Sequence, residues 1–229
     1  MICVSIASNT VNELNNKIKK ALNSGASFIE IRVDYLNNIN KNSLSYLKQF
    51  TNISIPIIFT LRKYSEGGIK DIDEEFRLKL INELINLSPS YIDLEYSIGK
   101  KEILDLIRKC RSKNVKIILS YHNFNQTFSE EKILSLIKSM QEFDVDILKL
   151  IFMAQNIFDN NKIFNVYKNL NKNNYEIVMF CMGKYGIISR LLSPFYGAKF
   201  TFASLDIATA PGQISIKDMQ MIYEILKLY

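Results

Sequence analysis

Lys149 stands in the middle of the run DVDILKLIFMA (144–154), among Val, Ile, Leu, Phe and Met side chains. Lysine is rarely buried, because taking an ammonium out of water costs free energy unless something compensates. A lysine so placed, near Arg32 and Arg62, is expected to be held partly neutral by desolvation and like-charge repulsion. A neutral amine attacks a carbonyl carbon to give a Schiff base. His122 is the sole histidine and ends a second apolar run, VKIILSYH (115–122). On the same face as the lysine and one strand away, it is the natural general acid–base. Glu66, in the segment KYSEGG (63–68), is placed to orient that imidazole. One histidine and no clustered carboxylate–cysteine spacing exclude the common zinc sets, so neither metal nor cofactor is expected. MGKYG (182–186) lacks the Walker pattern and is a weak phosphate signal.

The elements that must hold these groups are short apolar runs alternating with amphipathic stretches. Strands are predicted at 2–7, 28–34, 56–62, 91–96, 115–122, 146–152, 176–182 and 199–204. Thr10 is expected to cap the first helix and Gly25 to end it, and Thr127 with Glu130 forms a capping box before EKILSLIKSM. Strands alternating with helices make right-handed βαβ units and a parallel sheet. Eight units without a linker or a change of composition predict one (β/α)8 TIM barrel, a single α/β domain over 1–229. A doubly wound open sheet is the alternative, disfavoured because SIASNT after the first strand carries no Gly-x-Gly-x-x-Gly.

Strand parity sharpens the picture, since residues i and i+2 share a face. With Ile29, Ile31 and Val33 turned to the helices, Glu30, Arg32 and Asp34 point inward. By the same rule Thr60, Arg62, Asp93, Glu95, Ser120, His122 and Lys149 face the barrel interior. A barrel interior built for packing alone holds Val, Ile and Leu. Charge gathered there instead predicts an active site at the carboxyl ends of the strands.

Composition sets limits on other readings. Hydrophobic residues are 48% and charged residues 23% of the chain, which excludes disordered and fibrous classes. The net charge of +6 is mild, and its basic clusters fall on predicted helices, so a nucleic-acid role is disfavoured. Cys3, Cys110 and Cys181 have no paired spacing, which fits reduced thiols in a cytoplasm. No apolar run reaches the roughly 18 residues needed to span a bilayer.

Seven segments in order carry a resemblance: EIRVD (30–34), TLRKYSEGG (60–68), DLEY (93–96), SYHNF (120–124), KLIFMA (149–154), MGKYGIISR (182–190) and APGQI (210–214). Together they resemble the type I 3-dehydroquinate dehydratases, Schiff-base enzymes of the shikimate pathway, from end to end. The resemblance implies that Lys149 forms the imine, that His122 shuttles the proton and helps expel water, and that Glu66 supports it. It implies that Glu30, Arg32 and Arg62 bind ring hydroxyls or order that side of the pocket. Arg190 and Gln213 would hold the substrate carboxylate, with Ser5, Met182, Phe202 and Thr209 lining the site. It implies a homodimer, and a barrel that fills the sequence is expected to be monofunctional. Thr209 stands where many members have Ser, Asn123 where others have Asp, and Tyr185 where others have an acidic residue. The loop 205–214 is the expected lid. Two rival readings share some of these features: a Schiff-base aldolase acting on a sugar phosphate, and a non-catalytic barrel that binds nucleic acid or a partner through its basic surface.

Overall fold

A computed structural model describes residues 1–170 and 175–227. Its strands are β1 Ile2–Ala7, β2 Phe28–Arg32, β3 Ile57–Thr60, β4 Tyr91–Glu95, β5 Lys116–Asn123, β6 Ile147–Met153, β7 Glu176–Met182 and β8 Thr201–Ser204. The helices are α1 Val11–Asn23, α2 Lys41–Ser45, α3 Glu74–Asn86, α4 Lys100–Ser112, α5 Glu130–Met140, α6 Asp159–Asn169, α7 Ile187–Leu192 and α8 Ile216–Ile225. The strands pair in parallel in the order β7-β6-β5-β4-β3-β2-β1-β8. Lys199 N–H donates to the Ile177 carbonyl at 2.8 Å where the two edges meet, which all but closes the barrel. The (β/α)8 expectation holds. Several strands are shorter than the apolar runs; Val33 and Asp34 have already turned into a 3-10 helix (Val33–Tyr35).

The two faces of each strand lie in different surroundings, as parity requires. Ile29, Ile31, Phe59, Ile92, Leu94, Ile117, Leu119, Leu148 and Leu150 pack outward against the helices. Inside, a second apolar cluster forms the lower barrel from Cys3, Phe28, Ile58, Tyr91, Ile118, Ile147, Val178 and Phe200. Phe28 and Phe200 meet with ring centroids 4.7 Å apart, so the lower half is a filled plug rather than a channel. The parallel register then sets Ser5 beside Glu30, Thr60 beside Asp93, and Ser120 beside Lys149, in the polar layers above it.

Helix ends follow local chemistry. Thr10 accepts from Glu13 N–H at 3.3 Å, as expected, and Gly25 follows the helix at φ +77°. The capping box at Thr127 is a correction: Ser129 is the N-cap, accepting from Lys132 N–H. Thr127 is buried and donates to the Met153 carbonyl at 2.9 Å, because the chain there still leans against the ends of β6 and β7. Among the described residues no helix is long and apolar enough to cross a membrane.

Candidate active site

A cavity opens at the carboxyl ends of the strands. All twelve residues singled out for a site line it: Ser5, Glu30, Arg32, Arg62, Glu66, His122, Lys149, Met182, Arg190, Phe202, Thr209 and Gln213. Ile151, Phe180 and Phe124 line it as well, and these apolar walls carried no signal beyond hydrophobicity.

Lys149 is 4% exposed, and its amine reaches Asp93 Oδ2 at 3.0 Å and Glu30 Oε1 at 3.3 Å. Below it lies the Phe202 ring, 4.3 Å from Nζ to the centroid. The expectation of like-charge repulsion is corrected here. Arg32 and Arg62 are close, but each is bound to acids: Arg32 holds Asp34 through two bonds of 2.9 and 2.7 Å, and Arg62 holds Asp93 and Glu95, each at 2.9 Å. The immediate partners of the amine are therefore carboxylates. Burial pushes Glu30 and Asp93 up, but the cations outweigh it: Lys149 and Arg32 hold Glu30 below its ordinary range, and Arg62 and Lys149 hold Asp93 well below. Both are acceptors. Glu30 is also fixed by hydroxyls, Ser5 Oγ at 2.5 Å and Thr60 Oγ1 at 2.9 Å.

His122 sits one strand over at the end of β5, with Nδ1 3.1 Å from Glu66 Oε2. The same oxygen accepts the His122 backbone N–H at 3.1 Å, and Ser97 Oγ donates to the other at 2.5 Å. Burial, with Arg62 and Lys149 adding to it, drives the imidazole well below its ordinary pKa of 6.5, while burial raises Glu66. The ring is thus neutral near pH 7. Assigned from this network, Nδ1 carries the proton toward Glu66 and leaves Nε2 with its lone pair free to accept one. Glu66 reaches back because the following loop folds tightly: Gly67 has φ +87°, and a Cβ there would stand 2.4 Å from the Phe124 ring.

Across the cavity Arg190 is 1% exposed and has no acidic partner. Its Nη2 donates to the Pro211 carbonyl at 3.1 Å and Nη1 to Phe202 at 3.5 Å, while Nε has no partner at all. The guanidinium lies 4.5 Å over the Phe180 ring. Burial lowers its pKa to about 10. Each of the other five arginines is ion-paired, so among the described residues this is the arginine left for an anion from outside.

Thr209 and Gln213 belong to the segment after β8, folded over this end. Gln213 Oε1 accepts from Thr209 N–H at 2.7 Å and Oγ1 at 3.1 Å, and Thr209 Oγ1 bonds Ser5 Oγ at 3.0 Å. The hydroxyl at position 209 is thus in use. Gly212 (φ +69°) lies so close to Gly183 that a Cβ would meet its carbonyl oxygen at 2.3 Å. Of the departures, Asn123 Oδ1 accepts from the backbone of Asn125 and Gln126 rather than supporting the imidazole, and Tyr185 is surface-exposed. The described residues contain no group of three or more metal-ligating side chains.

Sequence parity placed Asp93, Glu95, Ser120 and Thr60 inward without a role; each now has one in fixing charge around the lysine. Ser97 and Arg77 escaped it. Arg77 left one signal: it falls three, four and seven residues before Leu80, Ile81 and Leu84, on the buried stripe of α3.

Comparison with known proteins agrees with this geometry. A sequence model of the family described as Type I 3-dehydroquinase matches residues 2–229. The 3-dehydroquinate dehydratase of Thermococcus onnurineus is 32% identical over 209 residues, 91% of this chain and 92% of that protein. That of Pyrococcus abyssi is 31% identical over 99% of this chain and 98% of its own. A crystal structure of a type I 3-dehydroquinate dehydratase from Clostridium difficile, with covalently modified comenic acid, superposes with a TM-score of 0.89 at 31% identity, covering 98% of this chain and 91% of that one.

Proposed function

Because the chain belongs to the type I 3-dehydroquinase family, which dehydrates 3-dehydroquinate to 3-dehydroshikimate through a lysine imine, we propose that Lys149, His122 and Glu66 carry out the chemistry here. The observation that carries this assignment is one cavity holding a buried primary amine on one wall and a buried guanidinium without an acidic partner on the other.

The steps follow from the positions. The substrate carboxylate docks on Arg190, whose N–H donors meet its two oxygens, with Gln213 beside it. That sets the ring ketone toward Lys149. The lysine nitrogen passes one proton to the ketone oxygen and, as the free amine, adds to the carbonyl carbon; a second proton follows to that oxygen, which leaves as water, and the protonated imine remains. This nitrogen accepts the electron pair released when His122 Nε2 takes the proton from the adjacent carbon. The resulting imidazolium, paired with Glu66, returns a proton to the departing hydroxyl, and water leaves. A ring held well below its ordinary pKa makes a strong acid once charged. Hydrolysis of the product imine restores the amine. Glu30, Arg32 and Arg62 hold that side of the pocket, and Ser5, Thr209, Met182 and Phe202 shape the rest.

A sugar-phosphate aldolase would need a phosphate cradle; among the described residues Arg190 is the arginine without an acidic partner, and one guanidinium fits a planar carboxylate better. Borohydride reduction with 3-dehydroquinate, followed by peptide mass mapping, tests the assignment: the adduct is expected on Lys149, and an adduct on any other lysine overturns it. The family resemblance and the unpaired cysteines support a homodimer working in a cytoplasm, for which sedimentation velocity is the check on assembly.

A further inference from the structure

Arg77 is 1% exposed and belongs to α3, outside the barrel wall. Its Nη1 donates to Glu95 Oε2 and to the Leu61 carbonyl, both at 2.8 Å, while Nε and Nη2 bond Glu74 at 3.0 and 3.1 Å. The other oxygen of Glu95 accepts from Arg62 Nη1 at 2.9 Å and from Lys63 N–H at 3.0 Å. Arg62 Nη2 lies 2.9 Å from Asp93 Oδ2, the oxygen that also receives the Lys149 amine. Ser120 Oγ is 2.9 Å from Arg62 Nη1 and 2.6 Å from Asp93 Oδ1. Charges therefore alternate without a break: Glu74, Arg77, Glu95, Arg62, Asp93, Lys149.

Docking a helix onto a barrel does not require a buried guanidinium; an apolar side chain would do it without the desolvation cost. What Arg77 supplies is a partner for Glu95 on the side away from the cavity. Without it, both oxygens of Glu95 are free to turn onto Arg62, and the guanidinium is drawn off Asp93. Asp93 then loses the bond that sets its Oδ2 beneath the amine. We propose that Arg77 and Glu95 are positioning residues for the dehydration, acting through Arg62 and Asp93 on the imine-forming amine. The inference rests on Lys149 being that amine, which the borohydride adduct of the unsubstituted enzyme checks separately.

The test compares Arg77→Met, Arg77→Lys, Glu95→Gln and the double variant Arg77→Met/Glu95→Gln for kcat, KM, Tm and the rate of borohydride-trapped imine at saturating 3-dehydroquinate. A displaced reacting group costs up to about 100-fold, so R77M should lose roughly 10- to 100-fold in kcat and in trapping rate. KM should hold, since Arg190 on the far wall is untouched. R77K, which restores the charge, should recover most of the loss. The double variant should turn over faster than R77M, because the stranded carboxylate is gone while the amide oxygen still accepts from Arg62. Wild-type kcat and trapping rate in R77M, with the loss confined to Tm, would show a packing role and overturn the proposal. Where R77M fails to fold, E95Q decides, because with Arg77 present its one amide oxygen cannot accept from both guanidinium groups: lower kcat at constant KM supports the ladder, and wild-type kcat overturns it.

Discussion

The two walls of the cavity solve opposite problems. On the wall built from β2 to β6, every cation is matched: Arg32 to Asp34, Arg62 to Asp93 and Glu95, Lys149 to Asp93 and Glu30. On the β7–β8 wall, Arg190 has carbonyls and an aromatic face but no acid. Under the proposed roles, the first arrangement fixes the reacting groups before substrate arrives, and the second keeps a binding site for its carboxylate. A buried ion pair is a weak source of net stability, yet removing one partner is costly. Mutations on the two walls should therefore move stability in opposite directions.

The largest effect breaks the matched wall. Lys149→Ala removes the proposed nucleophile and leaves Glu30 with hydroxyl partners but without its cation, so turnover should vanish and stability should fall. Loss of one partner of a buried pair reaches roughly 3–5 kcal/mol; Asp93 keeps Arg62, which places the cost at the lower end. At about 2–4 °C per kcal/mol for a chain of this size, calorimetry resolves it easily. Lys149→Arg should be equally inactive, because a guanidinium does not deprotonate at working pH. A variant with raised Tm would show that the lysine is not the counter-ion the distances describe.

His122→Ala leaves the amine in place, so the imine should still be trapped while kcat falls by about 10²–10⁴. The unsubstituted enzyme makes the related pH prediction. With the imidazole held well below 6.5 in the folded state, the acid limb of kcat/KM should lie below pH 6.5. The stability sign is that of a depressed group: the histidine's contribution is present above its unfolded pKa and is lost as pH falls through the folded value. A limb at or above pH 6.5, or no trapped adduct in H122A, would refute this account.

The matched wall was legible in the sequence because strand parity is rigid; once Ile29, Ile31, Leu94 and Leu148 are assigned outward, Glu30, Arg32, Glu95 and Lys149 have one place to go. The pairing among them was not. Parity says which residues share an interior but not which carboxylate turns to which cation, so Lys149 read as sitting among arginines when its contacts are Asp93 and Glu30. Thr127 misled for a similar reason, its motif spacing being right while tertiary contact with Met153 and Cys181 claimed the hydroxyl. Arg190 was reached through the resemblance alone; a short helix such as α7 (Ile187–Leu192) offers too little periodicity to show that an arginine in it is buried.

Arg190→Met sharpens the comparison from the unmatched side. Loss of a charge-assisted bond to a buried carboxylate is worth about 2–4 kcal/mol, so kcat/KM for 3-dehydroquinate should drop roughly 30- to 1000-fold, mainly through KM. Folding should gain, because a desolvated cation without a counter-charge gives way to an apolar side chain over Phe180. Tm should rise by a few degrees, on the order of 1 kcal/mol. A fall in Tm would mean that the carbonyl bonds to Phe202 and Pro211 outweigh the buried charge.

The smallest effect concerns the cover that joins the two walls. The segment 205–214 is tied at its start by the exposed pair of Lys20 with Asp206, and near its end by Ser204 N–H to the Ile214 carbonyl at 2.9 Å. Between these, Thr209 reaches Ser5 and Gln213 on the pocket side, and the Pro211 carbonyl accepts both Gly183 N–H and Arg190 Nη2. The cover thus leans on the guanidinium proposed to take the carboxylate. A carboxylate docking there adds charge-assisted bonds to Arg190 and Gln213 that the open segment cannot make, so binding should favour the closed arrangement. Exposed loops with few backbone bonds open locally at small free-energy cost, and hydrogen exchange across 205–214 should slow several-fold when a substrate-like carboxylate saturates the site. Gln213→Ala should remove part of that slowing, while Tm changes by no more than about 1 kcal/mol equivalent, the usual size for one exposed-loop hydrogen-bond network. Exchange that is unchanged at saturation would make the segment a fixed roof, with Gln213 holding Thr209 in place rather than answering the ligand.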